Sequence, residues 1–170
     1  EKEFENSISI TFDLQGPEIR TTHLDSPLHL NPGDSVQFVE GLGSPPLTIG
    51  TSHPLTGVAV GDNILLDDGK IKTTIIEVTS DSITAKVLSG GELTSQKGIS
   101  IPGVQLNLDP VTEKDRKDLE FISSQNVDFI AASFVLNAAD ILTIRSTMEE
   151  LNFDLPIIAK IERSDSLTEL

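Results

Sequence analysis

Two short tracts of this chain combine carboxylates with basic side chains in a way that could do chemistry. The first, residues 13–21, holds Asp13, Glu18 and Arg20 around the pair Gly16-Pro17. Glycine relaxes the backbone and proline lacks an amide hydrogen, so this pair predicts a sharp turn. Carboxylates suit a cation and a guanidinium fork suits phosphate oxygens, which indicates a cation beside a phosphate. A charged surface loop with an ion pair explains this tract, taken alone, about equally well.

The second tract places a lysine and a glutamate in an apolar, strand-like run. Lys160 and Glu162 share strand parity, so both side chains should point to one face while Ala159 and Ile161 point to the other. Both groups are expensive to bury unless they serve each other or a ligand. A structural ion pair and an active site are equally open interpretations of this pattern.

The elements that position these tracts can be predicted from periodicity. Alternating apolar residues over 8–12 predict a strand directly before Asp13. Residues 22–106 carry short apolar runs between turn signals, which predicts an all-β sandwich or barrel.

After Pro110 the pattern changes to a helical period. Thr112 and Asp115 predict a capping box at the start of a helix that carries Leu119, Phe121 and Ile122. An apolar run over 127–134, a helical stripe over 138–151 and a second apolar run over 156–161 then predict a β-α-β unit with buried parallel strands.

Composition limits the possible functions. The 170 residues carry a net charge of −15, which argues against nucleic acid and anionic membrane surfaces as partners. No cysteine is available for disulfides or thiolate metal sites, and no apolar run approaches the roughly 20 residues of a membrane span. Residues 22–68 contain no Lys or Arg, so phosphate binding has to depend on local placement of basic residues. The first residue, Glu1, and a helix-like pattern interrupted at Leu170 predict a piece of a longer chain.

Several tracts together resemble the pyruvate kinase family over nearly the whole chain. They occur in family order at family-like spacing: 13–21, the aspartate pair Asp67-Asp68, 97–103, 112–115, 132–134 and 159–162. The resemblance implies a partial (β/α)8 TIM barrel with an inserted small β-barrel domain. It implies a barrel strand in residues 1–16, the inserted lid domain in 17–108 and βα units of the barrel in 109–170.

The resemblance also implies the activity and the residues that carry it. Members transfer the phosphoryl group of phosphoenolpyruvate to ADP, and barrel active sites lie at the carboxyl ends of the strands. Lys160 and Arg20 match catalytic residues near the transferred phosphoryl group, and Lys97 and Asp68 match nucleotide-facing residues of the inserted domain. Ser133 and Phe134, by the same resemblance, match the strand end that lines the substrate pocket.

Two kinds of cation are implied. Glu162 matches a carboxylate that holds Mg²⁺ or Mn²⁺, with the second carboxylate beyond Leu170, and Asp13 with the backbone of Leu14 matches a K⁺ site. Leu14-Gln15 resembles members that work without K⁺, whereas Glu18 matches members that need it. Because the carboxylates of Glu18 and Asp13 should repel each other unless a cation lies between them, we expect K⁺ to activate.

The resemblance further implies a cytoplasmic homotetramer. Two other interpretations stay open: a Mg²⁺-dependent lyase or aldolase that binds phosphoenolpyruvate or pyruvate in a barrel, and a non-catalytic descendant used for binding or regulation. The β insert disfavours the first alternative, and the full set of charged site residues disfavours the second.

Overall fold

The structure is a computed structural model that describes residues 8–44, 46–104, 108–163 and 166–167. It divides into two compact units, one formed by Glu1–Pro17 with Leu108–Leu170 and the other by Glu18–Asn107. These bounds differ by one residue from the ranges expected for the barrel parts and the insert.

The elements follow one another in a fixed chain order. They are β1 (Thr11–Leu14), β2 (Leu28–Leu30), β3 (Ser35–Glu40), β4 (Thr48–Thr51), β5 (Asn63–Leu66), β6 (Ile71–Val78), β7 (Ile83–Ser89), β8 (Gly91–Leu93), β9 (Ile99–Ser100), α1 (Glu113–Ile122), β10 (Phe129–Ala132), α2 (Ala138–Glu150) and β11 (Ile157–Ala159). Neither helix is long and apolar enough to cross a membrane, a finding that covers the described residues only.

The first unit contains a three-stranded parallel sheet in the order β1-β10-β11. The predicted β-α-β unit is present as β10, α2 and β11. β1 begins later than the alternation over 8–12 predicts and includes Asp13, which pairs with Ala131. Asp13 therefore lies in the strand and not after it, because the extent of the strand is set by its pairing with β10.

The core of the first unit lies between this sheet and its helices. It contains Leu119 and Ile122 of α1, Ile130 of β10, and Ile144 and Met148 of α2, with smaller contributions from neighbouring residues. The predicted capping box is confirmed, since the hydroxyl of Thr112 accepts from the Asp115 amide and the Asp115 carboxylate accepts in return.

Two apolar residues of the first unit, one in α1 and one in β11, are exposed. Phe121 shares α1 with Leu119 and Ile122 but is 60% exposed, because its position lies off the apolar face of the helix. β11 was expected to be buried on both faces, yet Ile158 is 45% exposed. The reason is its place at the edge of the sheet, where β10 is its one described neighbour.

The second unit is all β, as predicted. It contains a six-stranded sheet in the order β4-β3-β7-β6-β5-β9 and a two-stranded sheet of β2 and β8. Residues 19–22 hydrogen bond with both edges of the larger sheet. On one side the Ile99 amide donates to the Ile19 carbonyl, and on the other the Thr22 amide donates to the Gly50 carbonyl. The segment that carries Arg20 is therefore fixed on both sides.

Candidate functional site

A cluster of charged and polar groups lies at the carboxyl ends of the three parallel strands. The Lys160 amide donates to the Ala132 carbonyl at 2.9 Å, which continues the sheet pairing by one residue beyond β11. From there the Lys160 Nζ reaches Asp13 Oδ1 at 2.9 Å and Oδ2 at 3.0 Å. Glu162 Oε1 lies 3.6 Å from the same nitrogen, so Asp13 is the closer partner.

The environment of Lys160 favours its charged form. The hydrogen bond with Asp13 is the main cause that raises the pKa of Lys160 above its usual value, and nearby Glu162 adds to the effect. Partial burial opposes this change. Lys160 is consequently an ammonium ion at neutral pH, a group that can stabilise negative charge but cannot act as a base.

Ser133 connects the ends of β1 and β10. Its hydroxyl lies 2.6 Å from the Leu14 carbonyl oxygen, to which it donates, and 3.3 Å from Asp13 Oδ1. A carboxylate, a carbonyl and a hydroxyl thus converge from two strands. Such uncharged and anionic oxygens are the ligands that hard cations prefer.

Phe134 contributes through its backbone in this structure. Its amide donates to Glu162 Oε2 at 2.9 Å, which fixes the carboxylate that Lys160 approaches from the other oxygen. Phe134 has a φ of +57°, which is uncommon for a bulky residue and stores backbone strain. Strain of this kind is often found where a site needs a particular backbone geometry.

The cluster is open to ligands and has a negative balance. The side chains of Lys160, Asp13 and Glu162 are 31%, 62% and 37% exposed. The cluster contains one ammonium and two carboxylates, so its net charge is negative. It therefore attracts a cation, and that cation has to offset the negative charge before a phosphorylated substrate can bind.

The oxygen atoms of this cluster are suitable ligands for the two expected kinds of cation, a divalent Mg²⁺ or Mn²⁺ and a monovalent K⁺. No three His, Cys, Asp or Glu side chains come together as a metal site within the ranges the structure describes. Mg²⁺ does not need such a cage, because it commonly keeps several waters and binds one or two carboxylates together with substrate phosphates. Glu162 is exposed enough to be one of them, and the oxygens of Asp13, Leu14 and Ser133 are suitable for K⁺.

Arg20 lies in the second unit, on the segment that bonds to both sheet edges. Its guanidinium contacts Glu18 Oε2 through Nε at 2.9 Å and Nη2 at 2.7 Å, and its Nη1 donates to the Gln96 carbonyl. Glu18 was expected to share a cation with Asp13, but its charge is met by Arg20 in this structure. The K⁺ expectation therefore depends on the oxygens near Ser133 instead.

Lys97 is close to Arg20 in the second unit, because Arg20 forms a β-bridge with Gly98. The Lys97 Nζ contacts Asp67 Oδ1 at 2.8 Å, while Lys70 Nζ contacts Asp67 Oδ2 at 2.8 Å. These two lysines, Lys70 first, hold the pKa of Asp67 below its usual value. Lys97 thus has a defined position beside a buried carboxylate.

The aspartate pair divides into one buried and one exposed residue. Asp67 is 9% exposed and holds the lysines, whereas the predicted residue Asp68 is exposed and forms no hydrogen bond or ion pair with any residue described. Both adopt positive φ, 49° and 57°, before Gly69. The sequence analysis named Asp67 as part of this pair but gave it no role of its own, although the nearby Lys70 was a possible signal.

Of the predicted site residues, the structure brings together those of the first unit: Asp13, Leu14, Ser133, Phe134, Lys160 and Glu162. Within the second unit, Arg20 and Lys97 lie on neighbouring segments. Two residues of the first unit, Gly16 and Asp115, were not predicted to serve the site and lie directly behind it. In the sequence, Gly16 predicts a turn and Asp115 predicts a helix cap. The contact between the two residues is visible only in the fold.

The fold and this cluster define an α/β protein with a candidate site at the carboxyl ends of parallel strands. Comparison with known proteins gives the family. The pyruvate kinase barrel domain model matches residues 1–170, and the chain belongs to the pyruvate kinase family.

Individual relatives agree with this assignment. The chain is 39% identical to a pyruvate kinase of Geobacillus stearothermophilus, over 96% of this chain and 29% of that protein. It is 38% identical to one of Agrobacterium vitis, over 100% of this chain and 36% of that protein. A crystal structure of a pyruvate kinase from Cryptosporidium parvum superimposes with a TM-score of 0.83 at 31% identity, over 95% of this chain and 35% of the other. The chain thus spans about a third of the length of these relatives.

Proposed function

We propose that this protein is a phosphotransferase that moves the phosphoryl group between phosphoenolpyruvate and ADP, giving pyruvate and ATP in glycolysis. The observation that supports this most is the Lys160 ammonium between the Asp13 and Glu162 carboxylates at the strand ends. Family membership supports the same reaction, since the relatives are named pyruvate kinases.

Lys160 would do the central electrostatic work. Phosphoryl transfer depends mainly on positioning and on compensation of charge over the transferred group. The Lys160 ammonium pairs with Asp13 and lies at the end of a flexible side chain of four carbons. It can therefore turn toward a phosphoryl group while it stays near the Asp13 and Glu162 carboxylates. Its raised pKa keeps the charge in place during the step.

Glu162 would hold Mg²⁺ or Mn²⁺, and Asp13 with the Leu14 carbonyl would hold K⁺. When bound, these cations neutralise substrate charge, which a cluster of two carboxylates and one ammonium otherwise repels. The Phe134 amide keeps Glu162 in place, and the Ser133 hydroxyl keeps the Leu14 carbonyl in place. We propose that Ser133 and Phe134 also contact the substrate.

We assign the remaining roles to the second unit. Arg20 would bind the transferred phosphate with the guanidinium N–H groups that its contacts to Glu18 and the Gln96 carbonyl leave over. Lys97 and Asp68 would bind the nucleotide. We propose that this unit is an inserted small β-barrel that serves as a lid on a (β/α)8 barrel, and the bonds from residues 19–22 to both sheet edges support a closed β structure.

The proposal includes a cytoplasmic homotetramer whose ligands are phosphoenolpyruvate and ADP or ATP. The net charge of −15 supports the exclusion of nucleic acid and membrane surfaces as partners. Light scattering on the full-length protein tests the oligomeric state.

The reaction itself is tested by incubating the full-length protein with phosphoenolpyruvate, ADP and Mg²⁺, with and without K⁺. We expect ATP and pyruvate to form in equal amounts. Pyruvate or phosphate released without ATP would indicate a lyase or hydrolase, and binding without turnover would indicate a non-catalytic descendant. Either result would reject the proposed function.

A further inference from the structure

Asp115 occupies an unusual place behind the cluster. It is the third residue of α1 and is 1% exposed. One of its oxygens, Oδ2, serves the helix cap by accepting from the Thr112 amide at 3.1 Å and the Thr112 hydroxyl at 2.7 Å. The other oxygen, Oδ1, points away from the cap and accepts from the Gly16 amide at 3.2 Å. A helix cap alone does not require this second contact.

Gly16 is fixed from two sides. Its φ is +68°, and a Cβ added there would lie 2.6 Å from the Ser133 carbonyl oxygen. The chain after β1 therefore passes directly against the end of β10, with the Asp115 carboxylate holding its amide. This contact comes two residues after Leu14, whose carbonyl accepts from the Ser133 hydroxyl.

We infer that Asp115 is a positioning residue for the oxygens of Asp13 and Leu14, an inference that rests on the proposed function. Asp115 fixes Gly16, and Gly16 fixes the turn that leaves Leu14. The direction of the Leu14 carbonyl and the end of β1 that carries Asp13 depend on that turn. The ligand affected is a monovalent cation, because these are the oxygens that fit one.

Thr112 offers a matched control within the same capping box. Thr112→Val removes the hydroxyl from the cap but leaves the Asp115 oxygen that accepts from Gly16. Asp115→Ala removes the bonds that the carboxylate accepts from Thr112 and from Gly16, while the Thr112 hydroxyl can still accept from the backbone amide of residue 115. Both variants weaken the cap, since both lose the hydrogen bond between the Thr112 hydroxyl and Asp115 Oδ2, but the contact to Gly16 is lost in Asp115→Ala and kept in Thr112→Val.

The experiment uses the full-length protein and two measurements. The first is the K⁺ concentration that gives half-maximal phosphotransfer, and the second is the rise in thermal-unfolding midpoint when K⁺ replaces tetramethylammonium, which reports ion binding without turnover. We expect Asp115→Ala to raise the half-activating concentration about tenfold or more, as for residues that orient metal ligands. The midpoint rise should shrink in parallel, whereas Thr112→Val should leave both responses to K⁺ unchanged.

Asp115→Asn keeps the inference testable if the alanine variant does not fold. Asparagine has one oxygen, which can serve Gly16 or Thr112 but not both, so a smaller shift in the same direction is expected. Equal K⁺ responses in the wild-type protein, the Asp115 variants and Thr112→Val would overturn the role of Asp115 alone. A wild-type protein without phosphotransfer and without any K⁺ response would overturn the proposed function and this inference together.

Discussion

The charge of Glu162 can be removed by substitution while the hydrogen bond that positions its side chain is kept. Its Oε2 accepts from the Phe134 amide, and glutamine can accept the same hydrogen bond. Glu162→Gln therefore removes an anionic ligand while keeping the side chain in place. We expect the variant to need more Mg²⁺ or Mn²⁺ for half-maximal activity, because one anionic oxygen ligand is lost.

The check is a metal titration of phosphotransfer in the full-length protein. Glu150→Gln is the matched control, since Glu150 forms an exposed ion pair with Arg116 in the same unit. If the titrations of wild type and Glu162→Gln coincide, Glu162 is a structural partner of Lys160 and not a metal ligand.

Individual residues also mark the limit of sequence reasoning. Lys160 and Glu162 lie near each other, as strand parity predicts, but β11 ends at Ala159 and both residues follow it. Strand parity could not indicate that Asp13 is the closer partner of Lys160, since that contact spans 147 residues and depends on the register of three strands. The buried role of Asp67 was missed for a similar reason, because Lys97 reaches it from a distant segment.

Asp67 gives the turn between β5 and β6 a pH-dependent contribution to stability. Lys70 and then Lys97 lower the pKa of Asp67. A group with a lowered folded-state pKa adds stability above its ordinary pKa, and this stability is lost as the pH falls through the folded-state value. The window is therefore below about pH 4.

We expect wild-type protein to lose stability across that window more steeply than Asp67→Asn, which has no carboxylate to protonate. Thermal-unfolding midpoints between neutral pH and pH 3 measure the difference, with exposed Asp25→Asn as the control. Parallel curves for wild type and Asp67→Asn would show that the two ion pairs contribute nothing measurable.

The turn after β1 lies directly against Ser133, the residue that follows β10. Gly16→Ala places a Cβ against the Ser133 carbonyl at a positive φ, so we expect a loss of about 1–3 kcal/mol of unfolding free energy. Gly33→Ala is a matched control, because its φ of +98° is further from the region alanine tolerates but no atom lies within 4 Å of the added Cβ. Denaturant unfolding compares the two, and an equal or larger loss for Gly33→Ala would reject the steric explanation.

At the level of elements, local signals were reliable and packing signals were not. The Thr112 capping box, α2 and the change from β to helical period follow from side chains a few residues apart. The start of β1 and the exposure of Ile158 depend on which strands pair and which lie at an edge. Such facts come from distant parts of the chain and have no local signature.

At the scale of the whole molecule, the 170 residues span about a third of the relatives they match. The parallel sheet has β1 and β11 at its edges, and Ile10 and Ile158 are exposed apolar residues near them. We expect the 170-residue chain alone to form no ATP from phosphoenolpyruvate and ADP, because its described residues offer one candidate divalent-cation carboxylate at the strand ends and leave both edges of the parallel sheet without a further strand. A luminescent ATP assay tests this, and measurable ATP formation would contradict the proposed site.

The central claim is that the Lys160 ammonium stabilises the phosphoryl group during its transfer. The most direct test is the turnover of full-length Lys160→Met, with Lys114→Met as the control because Lys114 is an exposed residue of α1 that pairs with Asp118. We predict that Lys160→Met lowers turnover by roughly 10²–10³-fold or more while nucleotide affinity stays nearly intact, as for the loss of a transition-state contact. Turnover close to that of the wild-type protein would contradict the claim.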